Sequence, residues 1–244
     1  MAGGKSELRQ ELARRWARLW PQGAPEPGAG LRPPLFPGCN RAAERLRRLP
    51  QYARARCLAV MPEPALLQVR INCLADRKLL LAATPGLKQG FVRIEPAMVP
   101  FAQRSRALRG GSLAQAGRCL RLPQDGLGRV EMLVGVCLAV DLKGSVLGDG
   151  RGLWDLTAAL LAQQGALAPE ALLVVLAAEE QVLESGLPAE PWDAPAALVV
   201  TPERVLTTGA PPPRGELEDL PPRLARLPVV QAARGGRQGT PAHD

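Results

Sequence analysis

Leu8, Leu12, Trp16 and Leu19 recur at helical spacing, while Arg9, Arg14, Arg15 and Arg18 fall largely off that stripe. The pattern predicts an amphipathic helix over Lys5–Trp20. Pro21 to Pro37 follow no period and are rich in Pro and Gly, which predicts an extended connector. A second helix is expected from Asn40 to Leu49, with Asn40 as its cap and Ala43, Leu46 and Leu49 on its buried side. Arg56–Val60 then reads as a strand and Met61-Pro62-Glu63-Pro64 as a turn. Ala65–Ala75 reads as a helix with Leu66, Val69 and Cys73 as its stripe, and Lys78–Ala83 as a strand stopped by Thr84-Pro85-Gly86. Helices alternating with strands in this way indicate an α/β fold with a mainly parallel sheet flanked by helices.

The densest apolar run, Met132 to Val140, is too short to cross a membrane and carries the residues of a buried parallel strand. It ends at Asp141, passes Gly144, Gly148, Gly150 and Gly152, and enters a helical pattern of Trp154, Ala158 and Leu161. Strand, glycine loop and helix is the geometry that turns backbone N–H groups and a helix N-terminus toward an anion. Glycine-rich βα loops that bind nothing share the pattern, so both readings stand. Elsewhere the spacing predicts a helix over Ala97–Leu108, a short strand near Cys119, and a strand over Ala171–Leu176. Closing strands are expected at Ala196–Val200 and Arg204–Thr207, with one short helix at most after Pro211. Residues 1–230 are expected to form one α/β domain, with 21–37 as the connector and 231–244 as a disordered tail.

Aromatic packing is confined to Tyr52, three Phe and four Trp, so the core must be built from Leu, Val and Ala. Five scattered cysteines with no C-x-x-C pair, and the absence of a secretory or transit pattern, point to a reduced, cytoplasmic setting. His243 is the sole histidine, which excludes a histidine-based triad and makes a zinc site untenable. The net charge of +8 divides unevenly. Residues 1–122 hold 22 Lys and Arg against 7 Asp and Glu, whereas residues 123–244 hold 9 against 16. A basic half of this kind suits RNA, an anionic cofactor, or nothing beyond a solvated Arg-rich surface.

Several blocks, in order, resemble the 5-formyltetrahydrofolate cyclo-ligase superfamily, and within it the branch of methenyltetrahydrofolate synthase domain-containing proteins. Asp141, Gly144, Leu147, Gly148, Gly150, Gly152 and Asp155 match the glycine motif, and Lys5-Ser-Glu-Leu-Arg9 matches its phosphate-contacting pair. Pro34-Leu-Phe-Pro-Gly38, Ala59-Val-Met-Pro-Glu63, Thr84-Pro-Gly-Leu-Lys-Gln-Gly-Phe91, Trp192-Asp-Ala-Pro195 and Thr201-Pro-Glu-Arg-Val-Leu206 look like the branch's blocks. The resemblance implies an α/β sheet fold that binds ATP and Mg²⁺ at this loop and closes 5-formyltetrahydrofolate to 5,10-methenyltetrahydrofolate. It would give Lys5, Arg9, Gly148, Gly150, Arg151, Gly152 and Trp154 to the nucleotide, and Asp155 to the metal. It also implies RNA, because vertebrate members of the branch carry an RNA-recognition motif; no RNP-like aromatic block follows residue 210 here.

The chain departs from the pattern at the loop, and also at Met61-Pro62-Glu63-Pro64 and at Ala178-Glu179, where the branch has Asn/Asp-Pro-Asp-x-Pro and His-Asp. The motif arginine is Val146, a position usually basic or neutral is Asp149, and the first aromatic of the closing Tyr-x-Asp is Leu153. A carboxylate in place of a cation beside phosphates imposes on the order of 1–4 kcal/mol, depending on the local dielectric. Taken together, these changes predict a degenerate site with a binding role, against the alternative of a working ATP-dependent cyclo-ligase.

Overall fold

The computed structural model describes residues 3–23, 31–184, 186–211, 217 and 221–235. Three helices, α1 (Gly3–Leu19), α2 (Cys39–Arg47) and α3 (Pro50–Arg54), lead into β1 (Cys57–Val60), α4 (Leu67–Ala75) and β2 (Leu79–Ala83). β3 (Phe91–Ile94), the one-turn α5 (Arg104–Ala107), β4 (Arg118–Leu120) and β5 (Val130–Val136) follow. A hairpin of β6 (Ala139–Asp141) and β7 (Val146–Leu147) then precedes α6 (Leu153–Gln163) and β8 (Leu167–Leu176). Last come β9 (Val182–Leu183), β10 (Leu198–Val200), β11 (Val205–Thr207), α7 (Pro222–Ala225) and α8 (Pro228–Gly235).

Eight strands form one sheet in the order β11-β10-β8-β5-β1-β2-β3-β4. The inner five run parallel, with Ala59 beside Leu133 and Leu133 beside Leu173 at the centre. Because both faces are covered, these strands are continuously apolar rather than alternating: Leu58, Leu81, Leu133 and Val175 are all fully buried. β3, β4 and β11 are antiparallel additions at the two edges. A second sheet, β7-β6-β9, stands at the end of β5.

The run Met132–Val140 is therefore two strands in two sheets, not one. Both halves are buried, so its apolar character hides the break at Cys137 and Leu138. The carbonyls that leave the ladder there are satisfied by side chains. Gln181 Nε2 donates to Cys137 O at 2.7 Å, and Trp16 Nε1 donates to Leu138 O at 2.8 Å. Trp16 also stacks on Trp20 at 5.0 Å, which locks the end of α1 onto the second sheet.

Other expectations also need correction. The cap residue of α2 is Gly38, in the left-handed conformation, and no side chain caps the helix, so Asn40 lies inside it. Ala97–Leu108 is no continuous helix; Pro96 and Pro100 cut it into two 3₁₀ turns and the single turn of α5. Leu19 is exposed, although it lies on the apolar stripe of α1. Two helices follow Pro211 instead of one, and Gln231–Gly235 belong to α8. Of the connector, Pro21–Gly23 form a 3₁₀ turn. Residues 24–30 and the tail from 236 lie outside the described residues.

Candidate functional site

The glycine loop, the first helix and the turn after β1 meet at the carboxyl ends of the parallel strands, where ligands of open α/β sheets bind. The loop is shaped locally. The buried carboxylate of Asp141 accepts the backbone N–H groups of Lys143 and Ser145 at 3.0 and 2.9 Å, which turns the chain from β6 into β7. Gly144, Gly150 and Gly152 all have positive φ, and Gly152 stands at the N-terminus of α6.

The cleft is lined by Lys5, Arg9, Val146, Gly148, Gly150, Gly152, Trp154 and Asp155, so seven of the eight residues predicted for the site come together. Arg151 does not line it. Its guanidinium turns outward and pairs with Asp149 at 2.6 Å, while its backbone N–H donates to the same carboxylate at 2.9 Å. Asp149 thus takes both the backbone donor and the guanidinium of Arg151, a residue that the resemblance gave to the nucleotide.

The side chains of Lys5, Arg9, Trp154 and Asp155 each have a partner inside the protein. Lys5 is buried and donates to Asp193 at 2.6 Å and to Glu190 at 3.3 Å. Arg9 Nε donates to Gly148 O at 3.0 Å, so the loop offers this cation a carbonyl. Trp154 is a core residue: its indole N–H donates to Ala194 O at 2.8 Å and its ring lies on Gly135 of β5. A Cβ at Gly135 would stand 2.5 Å from that ring. Asp155 accepts the Ala194 N–H at 2.9 Å, and burial, reinforced by Asp193, pushes its carboxyl up to about 6 despite that bond and nearby Lys5.

Reasoning from sequence missed several groups. Glu63 reaches the cleft with a buried Oε2 that has no partner, and burial, with Asp149 adding to it, raises its carboxyl above the ordinary range. Arg70 is fully buried beneath the turn and donates to the carbonyls of Leu108, Met61 and Glu63 at 2.8, 2.6 and 3.2 Å. From α7, Leu224 covers the loop: a Cβ at Gly152 would stand 2.9 Å from Leu224 Cδ1. Arg70 sits among apolar neighbours on α4 and α7 is far along the chain, so neither had a local signal. Asp193 was within the quoted Trp192-Asp-Ala-Pro195 block, and the block's work is now visible: Asp193 holds Lys5, and Ala194 holds both Trp154 and Asp155.

The size and charge of the cleft bear on Mg²⁺-ATP, the ligand that the resemblance implies. The cleft encloses about 60 Å³, whereas small-molecule pockets span ~300–1,000 Å³. Five carboxylates line it (Glu63, Asp149, Asp155, Glu190, Asp193) against the cations Lys5, Arg9 and Arg223, the wrong balance for a triphosphate. Among the described residues no group of three or more His, Cys, Asp or Glu could hold a metal ion.

Residues 2–202 match the model of the 5-formyltetrahydrofolate cyclo-ligase family. The chain belongs to that family. It is 31% identical over 219 residues to the methenyltetrahydrofolate synthase domain-containing protein of Homo sapiens, covering 84% of this chain and 55% of that protein. The protein of the same name from Bos taurus is 32% identical over 187 residues, 74% of this chain and 48% of its own length. The chain thus spans about half the length of these curated relatives. The NMR structure of Aquifex aeolicus 5,10-methenyltetrahydrofolate synthetase overlays with a TM-score of 0.55 at 20% identity, over 85% of this chain and 94% of that one, a likeness of fold. No helix of the described residues is long and apolar enough to cross a membrane.

Proposed function

We propose that this chain is a cyclo-ligase-family domain whose nucleotide cleft is closed by its own side chains, and that it acts by binding rather than by ATP-dependent ring closure. Asp149 carries the reading. Its carboxylate takes both the Arg151 amide and the Arg151 guanidinium, the donors that a phosphate would otherwise need. Two further observations support it: Lys5 is neutralised by two carboxylates, and Leu224 packs on Gly152 from a helix beyond the stretch that matches the family model. A cytoplasmic setting belongs to the same reading and is supported by five free cysteines.

A second reading keeps ATP, Mg²⁺ and 5-formyltetrahydrofolate as ligands. It is favoured by the convergence of Lys5, Arg9, the glycines and Asp155 on one cleft. RNA contact through the basic half draws support from exposed Arg14, Arg15 and Arg18 on α1. Against it, Arg47, Arg70, Lys78 and Arg118 of that half are held by internal partners. The test is turnover. With Mg-ATP and 5-formyltetrahydrofolate, the purified protein is expected to form no methenyl product above the uncatalysed rate; ATP-dependent product formation would establish the second reading instead.

A further inference from the structure

Between β3 and β4 the chain leaves the sheet over residues 95–109, and none of these residues lines the cleft. The excursion is firmly seated. Val99 and Leu108 are buried, Arg70 donates to Leu108 O at 2.8 Å, and a Cβ at the adjoining Gly110 would stand 2.7 Å from Pro62 O. Its outer side is apolar: Phe101 is 77% exposed and Met98 45%, with Ala97, Pro100 and Ala102 exposed around them. The other two phenylalanines of this aromatic-poor chain, Phe36 and Phe91, are buried. A segment anchored in this way that presents its phenylalanine to water has not simply failed to fold it away.

The segment and its flanks are rich in cations. From Arg93 to Arg129 the sequence holds seven Arg against Glu95 and Asp125. Asp125 is taken by Arg118 and Arg121, and Arg129 pairs with Glu170. Arg104 lies over the Phe101 ring at 5.6 Å, with Nε on Val99 O. Arg109 donates only to Ser105 O, and among the described residues no carboxylate pairs with Arg104, Arg106 or Arg109. An exposed apolar tip on a segment that carries three guanidinium groups with no carboxylate partner among the described residues is complementary to a surface that is anionic outside and apolar beneath.

We propose that residues 97–109 dock on an anionic phospholipid surface, Phe101 and Met98 entering the headgroup–acyl boundary and Arg104, Arg106 and Arg109 meeting headgroup phosphates. The length of apolar runs, which set aside a spanning helix, does not bear on contact of this kind. A single nucleic-acid strand is less well matched: Phe101 is the only aromatic between residues 95 and 122, and Arg104 already covers one face of its ring.

The test is co-sedimentation of the full chain at low salt with phosphatidylcholine vesicles containing roughly one-third phosphatidylserine. Pure phosphatidylcholine vesicles and a labelled oligouridylate serve as comparators. The expected result is capture by the anionic vesicles alone, weakened by added salt. Phe101→Ser should reduce it roughly tenfold, and Arg106→Gln or Arg109→Gln roughly fivefold each, with unchanged melting temperatures. No capture by anionic vesicles, equal capture by pure phosphatidylcholine, retention unaffected by Phe101→Ser, or capture of the oligouridylate in place of vesicles would each overturn the proposal.

Discussion

Arg70, fully buried, and Asp155, half-buried, are both charged groups near the carboxyl ends of the parallel strands, and their surroundings treat them oppositely. Arg70 meets three backbone carbonyls in fork geometry and joins the turn after β1 to the excursion beyond β3. Burial lowers its guanidinium to about 10, with Glu63 opposing the shift, so it remains charged at neutral pH and ties three segments together. Asp155 accepts a single amide and sits near Asp193. Its ionised form is disfavoured where it lies. One charge is embedded in the architecture; the other lines a cleft whose charged groups are paired with one another. A buried charge stabilises a fold when its partners are arranged around it, and otherwise is a candidate for a functional role.

That contrast can be broken from either side. The largest effect is expected at Arg70: Arg70→Met removes the donor to three buried carbonyls and should destabilise by about 3–5 kcal/mol in chemical denaturation. A loss below about 1 kcal/mol would mean that the network is incidental. Leu224→Ala should lower stability by about 2–3 kcal/mol and raise hydrogen exchange at the amides of the glycine loop. Loss of stability without faster exchange there would separate α7 from the closure of the cleft.

Asp155→Asn should do the reverse of Arg70→Met. Because the folded carboxyl titrates near 6 and the unfolded one near its ordinary value, ionisation opposes folding. That penalty is absent below about pH 4, grows through the window between about pH 4 and 6, and is complete above it. The Asn variant, which still offers an acceptor to the Ala194 amide, should gain about 1–2 kcal/mol at neutral pH, after allowance for partial exposure. Its advantage should vanish in melts at acid pH, and a pH-independent gain would point to packing instead. The smallest effect is expected at Asp149, where Asp149→Asn loses a partly exposed ion pair and should shift stability by less than about 1 kcal/mol.

The parallel core was legible because strands buried on both faces leave an unmistakable signature: Cys57–Val60 and Leu79–Ala83 fall where apolar runs and turn residues put them, and β8 contains the expected Ala171–Leu176 but starts four residues earlier, through the less buried residues 167–170. The meeting of Lys5, Arg9, the glycines and Asp155 was legible through resemblance. What escaped notice depends on contacts distant in sequence. The break at Cys137–Leu138 is made by Gln181 and Trp16, the neutralisation of Lys5 by Glu190 and Asp193, and the cover on Gly152 by Leu224. Asp149 was recognised as an intruding charge, but its bond to the Arg151 amide, closed across a Gly150 in the left-handed conformation, is a backbone geometry that sequence permits without specifying.

Closure of the cleft to nucleotide is tested most directly by titrating Mg-ATP into the wild-type chain while following its thermal unfolding. A ligand at about 100 times its dissociation constant adds roughly 2.7 kcal/mol of stability, so binding would be plain. The account predicts no saturable shift up to millimolar Mg-ATP, with or without 5-formyltetrahydrofolate. A saturable shift at micromolar Mg-ATP would contradict it, and would show that the bonds of Asp149 to Arg151 and of Lys5 to Asp193 give way to phosphate.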